Sequence, residues 1–144
     1  MKKMRATALV VVLLLSISLL AGCGGGSGSK PTASPVATGD TMEEAISNYS
    51  LDVASDGWQD MSSDRLTEEE LLAAYETVKA KPAYSMKYED VVGIVGVEPS
   101  RARFNGEKRT FEWQTKENSA RDISFIFEEK DGEWLYYMFS KTNM

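Results

Sequence analysis

The sequence contains no histidine and only one cysteine among its 144 residues. Histidine is the commonest general base and metal ligand, so its absence excludes much familiar catalytic and metal chemistry. A single cysteine excludes an internal disulfide. The sequence also lacks a Gly-x-Gly-x-x-Gly segment, a Walker-type loop and a Cys-x-x-Cys pair, which are patterns of nucleotide binding and redox chemistry. We therefore expect a protein that is not an enzyme and that uses neither a metal nor a cofactor.

Positive charge is also scarce. The formal net charge is −6, with 16 basic against 22 acidic side chains. Lys2, Lys3 and Arg5 lie in the leading segment, so the chain after it has 13 basic side chains and a net charge of −9. Such a chain repels a phosphate backbone, and we expect no nucleic-acid partner.

Two groups of charged residues could still form a site. A glutamate pair could serve glycoside hydrolysis, but positions on outer strand faces and in turns favour solvated side chains. These glutamates are Glu107, Glu112, Glu117, Glu128, Glu129 and Glu133. A basic cluster surrounds the first predicted hairpin, and we expect it to be a solvated rim, with an anion-binding site as the alternative. It consists of Arg101, Arg103, Lys108 and Arg109.

The first residues have the three-part pattern of a secretory signal. Three positive charges lie within Met1 to Arg5, and an almost unbroken apolar run follows from Leu9 to Leu20. This run is several residues shorter than a bilayer-spanning helix requires. We therefore predict a signal peptide over residues 1–22.

The end of this segment reads Leu20-Ala21-Gly22-Cys23, which resembles the lipobox of bacterial lipoproteins. The resemblance implies that Cys23 receives a diacylglycerol and that the chain is cut between Gly22 and Cys23. It also implies a lipid-anchored protein on the extracytoplasmic face of a bacterial cell membrane, or in the outer membrane of a two-membrane envelope. The alternatives are a plain secretory signal with a chance cysteine and an anchor that is never cut.

The next segments predict a tether and a connector. Residues 23–40 hold the lipidated cysteine and then mostly Gly, Ser, Thr, Ala and Pro, a composition typical of a flexible linker. Residues 41–65 form an acidic connector in which Thr41 and Glu44 have the spacing of a capping box for a short helix. Trp58 is expected to pin this connector to the core.

Two clearer helices follow in the predicted domain, residues 66–144. Thr67 and Glu70 have capping-box spacing, and apolar residues recur at helical intervals, which predicts a helix over 68–80. A second helix is predicted over 88–95, because three valines share one side and Gly96 suits a C-cap.

Beyond Ser100 the apolar pattern changes to a period of two, which predicts strands. Asn105-Gly106 and Asp131-Gly132 are hairpin turn pairs, and residues 116–120 form a polar connection. These signals predict four antiparallel strands in a meander. The fold class is therefore α+β, with two N-terminal helices packed on one face of a four-stranded antiparallel sheet.

The segment Met86-Lys87-Tyr88-Glu89-Asp90-Val91-Val92, followed by Gly96 and Glu98-Pro99, resembles the signature of the β-lactamase-inhibitor-like fold. Small bacterial lipoproteins of the SmpA/OmlA (BamE) group share this signature. The resemblance implies a single α-α-β-β-β-β unit that binds other proteins and performs no catalysis. One departure is Lys87, which stands where the family usually places a capping Thr or Ser.

The last predicted strand is apolar on both faces, although the helices can cover only one. If the Asp131-Gly132 turn is a two-residue loop, Trp134, Tyr136 and Met138 join the core face; a three-residue loop with a bulge instead turns Leu135, Tyr137 and Phe139 inward. The outward residues are candidates for a partner-binding face. The candidate set is Trp134, Leu135, Tyr136, Tyr137, Phe139 and Ile126. The alternative is that residues 42–58 fold back and cover this face.

These patterns lead to one main functional hypothesis. We expect a membrane-anchored bacterial lipoprotein that acts as a non-enzymatic protein-binding module in the cell envelope. One alternative is a structural assembly factor for outer-membrane proteins, as the BamE resemblance would suggest. A hydrolase of wall or lipid is the third hypothesis.

Overall fold

A computed structural model describes residues 40–144. In this range the helices are α1 (Met42–Asn48), α2 (Glu68–Lys79) and α3 (Tyr88–Val95). The strands are β1 (Gln59–Asp60), β2 (Arg101–Phe104), β3 (Lys108–Gln114), β4 (Asp122–Lys130) and β5 (Glu133–Thr142). The predicted signal peptide, the cleavage site at Gly22 and Cys23, and residues 24–39 of the linker lie outside the described residues. None of the helices in residues 40–144 has the length and apolarity needed to cross a membrane.

Reciprocal capping boxes begin the first two helices. The Glu44 backbone N–H donates to Thr41 Oγ1 at 3.3 Å, and the Thr41 N–H donates to Glu44 Oε2 at 2.8 Å. Thr67 and Glu70 repeat this pair of bonds at the start of α2. The spacing of these residues therefore located both helix starts correctly, because each cap involves residues three positions apart.

Helix α3 has the predicted bounds but only half of a cap. Asp90 Oδ2 accepts the Lys87 backbone N–H at 2.9 Å, whereas a lysine side chain has no acceptor to offer in return. Gly96 ends the helix with φ of +88°, a left-handed conformation that glycine adopts without steric cost.

The predicted meander is present as β2–β5, but the counts of two helices and four strands were too low. The structure adds α1, which the sequence allowed as a short helix, and β1, which pairs with β2 so that Gln59 lies opposite Ala102. A two-residue strand cannot show alternation, so no sequence pattern predicted it. All neighbours in the sheet are antiparallel, and the order β1-β2-β3-β4-β5 makes β5 an edge strand of the described sheet.

The core lies between the helices and one face of the sheet, which we call the core face. Tyr88 of α3 packs against the rings of Phe111 and Phe127, with centroids 4.6 and 6.0 Å away. Tyr75 of α2 meets Phe139 of β5 edge-to-face at 5.2 Å. Residues of the connector enter the same core, because Met42, Ala45 and Leu51 are buried in it. We call the opposite face of the sheet the outer face, and it carries the strand side chains that point away from the core.

One partly buried hydrogen bond ties α3 to the segment after it. Tyr88 Oη donates to Glu98 Oε2 at 2.6 Å. Burial raises the pKa of Glu98, while this hydrogen bond opposes the rise. Burial and the nearby Glu98 carboxyl also raise the pKa of Tyr88. Removing the Glu98 proton therefore costs more in the folded state than in the unfolded chain.

This asymmetry predicts a stability difference that depends on pH. Since the folded-state pKa of Glu98 is raised above its unfolded value, its stabilising contribution is fully present below about pH 4.5 and is lost as pH rises through the folded pKa. Glu98→Gln keeps an oxygen for Tyr88 Oη but cannot ionise. We expect the variant to gain stability relative to the parent as pH increases from 4 to 7.5 in urea unfolding. A difference in unfolding free energy that stays constant over this range would contradict the expectation.

Candidate functional site

The β4–β5 turn is a two-residue loop. Lys130 pairs with Glu133, and the two residues between them, Asp131 and Gly132, have φ of +55° and +84°. Positive φ at both positions defines a type I′ turn. The first of the two predicted alternatives therefore holds at the start of β5, where Trp134 and Tyr136 lie on the core face.

A β-bulge then reverses the alternation. Phe127 pairs with Tyr136, but Ile126 pairs with Met138, so Tyr137 is an extra residue in β5. A bulge of this kind moves the strand's later side chains to the opposite face. Phe139 therefore returns to the core face opposite Phe125.

The candidate face consequently needs correction at three positions. Tyr136 is only 2% exposed, and Phe139 packs against Tyr75, so neither lies on the outer face. Trp134 also lies on the core side, where its ring stacks under the Arg109 guanidinium at 4.0 Å. Tyr136 is buried, whereas Trp134 and Phe139 are partly buried on the core face, so none of the three belongs to the outer face.

The remaining candidates share the outer face with two residues that the sequence reasoning did not include in the candidate set. Ile126 and Met138 are directly paired, and Leu135 pairs with Glu128 one step further along. Tyr137 is partly exposed and Met138 is 42% exposed. The fifth residue, Tyr84, comes from the loop between α2 and α3. We call this set the outer patch: Tyr84, Ile126, Leu135, Tyr137 and Met138.

Tyr84 reaches the outer face around the edge of the sheet. Its backbone N–H donates to the Tyr136 carbonyl at 2.6 Å, and the Tyr136 N–H donates to the Met86 carbonyl at 2.8 Å. Tyr84 Oη donates to Glu128 Oε2 at 2.8 Å, and its ring lies 5.5 Å from that of Tyr137. The hydrogen bond to Glu128 raises the pKa of Tyr84 to about 12.

The conformation of Tyr84 is unusual. Its φ is +61°, a left-handed value that is unfavourable for a bulky side chain. The two backbone hydrogen bonds at Tyr136 and the bond to Glu128 hold it there. Backbone strain of this type tends to concentrate at functional sites. No sequence pattern indicates that Tyr84 adopts this conformation.

Residues 42–58 do not cover the outer patch. Helix α1 packs on the core side, where Met42 Sδ lies 3.1 Å from Arg109 Nη1; Arg109 pairs with Phe127, which fixes its face. Trp58 reaches the outer face, but its ring stacks on Arg101 of β2 with 4.5 Å from guanidinium to centroid. Since β2 and β5 lie at opposite ends of the meander, the described chain leaves the outer patch open.

The other end of the outer face is closed by polar contacts. Arg101 donates two hydrogen bonds to the Glu112 carboxylate, at 2.7 and 3.1 Å, and Glu112 is only 3% exposed. Burial and the neighbouring Glu112 raise the pKa of Asp122. The prediction of a solvated side chain was therefore wrong for Glu112. The predicted solvated rim likewise fails at Arg101, which is tied to Glu112, and at Arg109, which is stacked on the core side.

Residues 40–144 contain no group of three or more Cys, Asp or Glu side chains placed to hold a metal ion. The outer patch offers apolar surface and two phenol hydroxyls, which suit recognition of another surface. No protein-family model, curated protein or solved structure matches this chain.

The bulge predicts different losses of stability for Tyr136 and Met138, which lie two positions apart and would share one face of a continuous strand. Tyr136→Ala removes a buried ring and should cost about 3–5 kcal/mol of unfolding free energy. Met138→Ala, on the exposed face, should cost about 0.5 kcal/mol or less. Urea unfolding of both variants measures the difference. Similar losses at the two positions would mean that β5 runs without a bulge.

Proposed function

We propose that this protein is a membrane-anchored bacterial lipoprotein whose domain binds a protein partner in the cell envelope without catalysing a reaction. The observation that carries the proposal is the outer patch, which residues 42–58 leave uncovered, on a sheet whose opposite face packs against the helices. Folding does not require the side chains of the outer patch to be exposed, because the three helices of the described domain already cover the core.

The composition of the outer patch supports protein recognition. Tyrosine supplies large contact area with few rotatable bonds, and tyrosines are enriched among residues that dominate interface energies. Tyr84 and Tyr137 stand side by side on this face. A partner that buries them would encounter groups already fixed in position, which lowers the entropy cost of binding.

The attachment to the membrane rests on the N-terminal sequence. Cys23 would carry the lipid after cleavage behind Gly22, and residues 24–40 would serve as a flexible tether. A coil of about 17 residues has a root-mean-square span of roughly 20–25 Å. Such a tether favours a partner close to the membrane surface, and the resemblance to the β-lactamase-inhibitor-like fold also favours a binding role.

A photo-crosslinking experiment tests the binding face. A benzoylphenylalanine placed at position 138 of the full chain should capture a protein partner in the native cell. Adding Leu135→Ser and Tyr137→Ser should abolish this capture, because both side chains lie beside position 138, while leaving the melting temperature nearly unchanged.

The matched control places the same crosslinker at Glu69, an exposed residue of α2 on the helix side. We expect no capture of that partner from this position. Equal capture from both positions, or undiminished capture by the double serine variant, would rule out the outer patch as the binding face.

The lipid anchor has a separate test. In Cys23→Ser, the oxygen cannot replace sulfur as the acceptor of diacylglycerol, so the protein should leave the membrane pellet after a high-salt wash. A Gly24→Ala variant, which keeps the cysteine, should remain in the pellet. A serine variant that is still cut at the same bond and still sediments with membranes would contradict the anchor.

A further inference from the structure

We propose that β5 pairs along its free edge with β5 of a second copy of this chain, which joins the two sheets into one antiparallel sheet. The proposal rests on the proposed function for one element only, the membrane anchor that brings the copies together. Its evidence is the direction of the backbone groups along β5.

A hydrogen bond just beyond the end of β3 fixes which residues of β4 face β5. The Thr115 N–H donates to the Arg121 carbonyl at 3.0 Å, so the backbone groups of Arg121 point toward β3. Since this direction alternates along a strand, the backbone groups of Asp122 and Ser124 point toward β5.

The same alternation leaves two residues of β5 facing outward. Thr142 and Ser140 are the β5 partners of these two residues, so their backbone groups bond inward to β4. Phe139 and Lys141 alternate with them, and their backbone groups point away from the sheet. Within residues 40–144, no backbone group bonds to these outward groups.

The free stretch of β5 has a limit at each end. The loop between α2 and α3 takes up both outward backbone groups of Tyr136. At the other end β5 stops at Thr142, where Asn143 turns the chain away with φ of +55° and donates from its Nδ2 to the Ala120 carbonyl at 2.9 Å. We call residues 138–142 the open edge.

The open edge is complementary to itself. In an antiparallel pair centred on Ser140, Phe139 lies opposite Lys141 of the second copy, and the outward residues of both copies bond to each other. A pair centred on Phe139 would set Lys141 opposite the bulged Tyr137. A pair centred on Lys141 would set two lysines directly opposite each other, which opposes pairing. The register centred on Ser140 therefore uses every outward group and keeps the lysines from facing each other.

The size of the contact explains why the anchor matters. A standard interface buries roughly 800 Å² per partner, more than a strand pair of this length provides, so copies free in solution should associate weakly. Anchoring in one membrane raises the effective concentration of the copies. Residues opposite each other in paired strands lie on the same face, so the two outer patches would lie on the same side of the joined sheet.

A cysteine at position 140 tests the register in intact native cells. In the joined sheet Ser140 lies opposite itself as a non-hydrogen-bonded pair, whose Cα atoms are about 4.5 Å apart, within the range of a disulfide. We expect Ser140→Cys to form a disulfide-linked dimer under mild oxidation, measured on a non-reducing gel. Thr142→Cys is the matched control, because it is exposed on the same strand but lies far from its counterpart. The parent chain reports any disulfide through Cys23, and neither control should form a dimer.

A proline separates backbone pairing from side-chain effects. The outward Lys141 N–H makes no sheet hydrogen bond within one copy, so a proline is tolerated there, whereas in the joined sheet it removes one hydrogen bond from each copy. The dimer yield of Ser140→Cys, Lys141→Pro should be roughly tenfold lower than that of Ser140→Cys. The control Ser140→Cys, Lys141→Ala keeps the N–H and should retain the yield. The melting temperatures of the two double variants should be similar.

The outcomes separate this inference from the proposed function. Absence of a Ser140→Cys dimer, equal dimer from Thr142→Cys, or an undiminished yield in the proline variant would overturn the pairing. The membrane pellet of the same oxidised cells reports the anchor. Protein that sediments with membranes as a monomer would overturn the pairing alone, whereas a dimer found outside the pellet would overturn the anchor and leave the pairing intact.

Discussion

The bulge at Tyr137 is the constraint on which the arrangement of both sheet faces depends. Side chains of a strand alternate with a period of two, so a continuous β5 would carry Tyr136 and Met138 on one face. The extra residue allows Tyr136 and Phe139 both to enter the core. It also places the consecutive residues Tyr137 and Met138 both on the outer face. One apolar strand therefore contributes side chains to the core and to the outer patch.

The loop between α2 and α3 covers the edge of the sheet next to the bulge, at Tyr136. An edge strand exposes unpaired backbone groups that invite association, and the loop between α2 and α3 satisfies those of Tyr136. The same pairing forces Tyr84 into a left-handed conformation and carries its ring onto the outer face. Protection of the edge and construction of the outer patch are therefore one structural arrangement.

Carboxylates have different roles at the two ends of the outer face. Glu112 is held by Arg101 and buried, so it belongs to a closed polar network. At the other end, Glu107 and Asp131 line an open cleft beside apolar side chains. Their different surroundings, rather than their residue types, separate a buried structural carboxylate from solvent-exposed ones.

The sequence by itself determined the features that depend on residues close together in the chain. The cap at Thr67 involves a residue three positions away, and Asp131-Gly132 marks the position of a hairpin turn, although only the register showed that the loop has two residues. The tertiary structure alone decided the pairing of β1, the position of the bulge and the placement of Tyr84. The hydrogen bond from Tyr84 to Glu128 spans 44 positions, and such long-range contacts arise from packing and register, which leave no local pattern in the sequence.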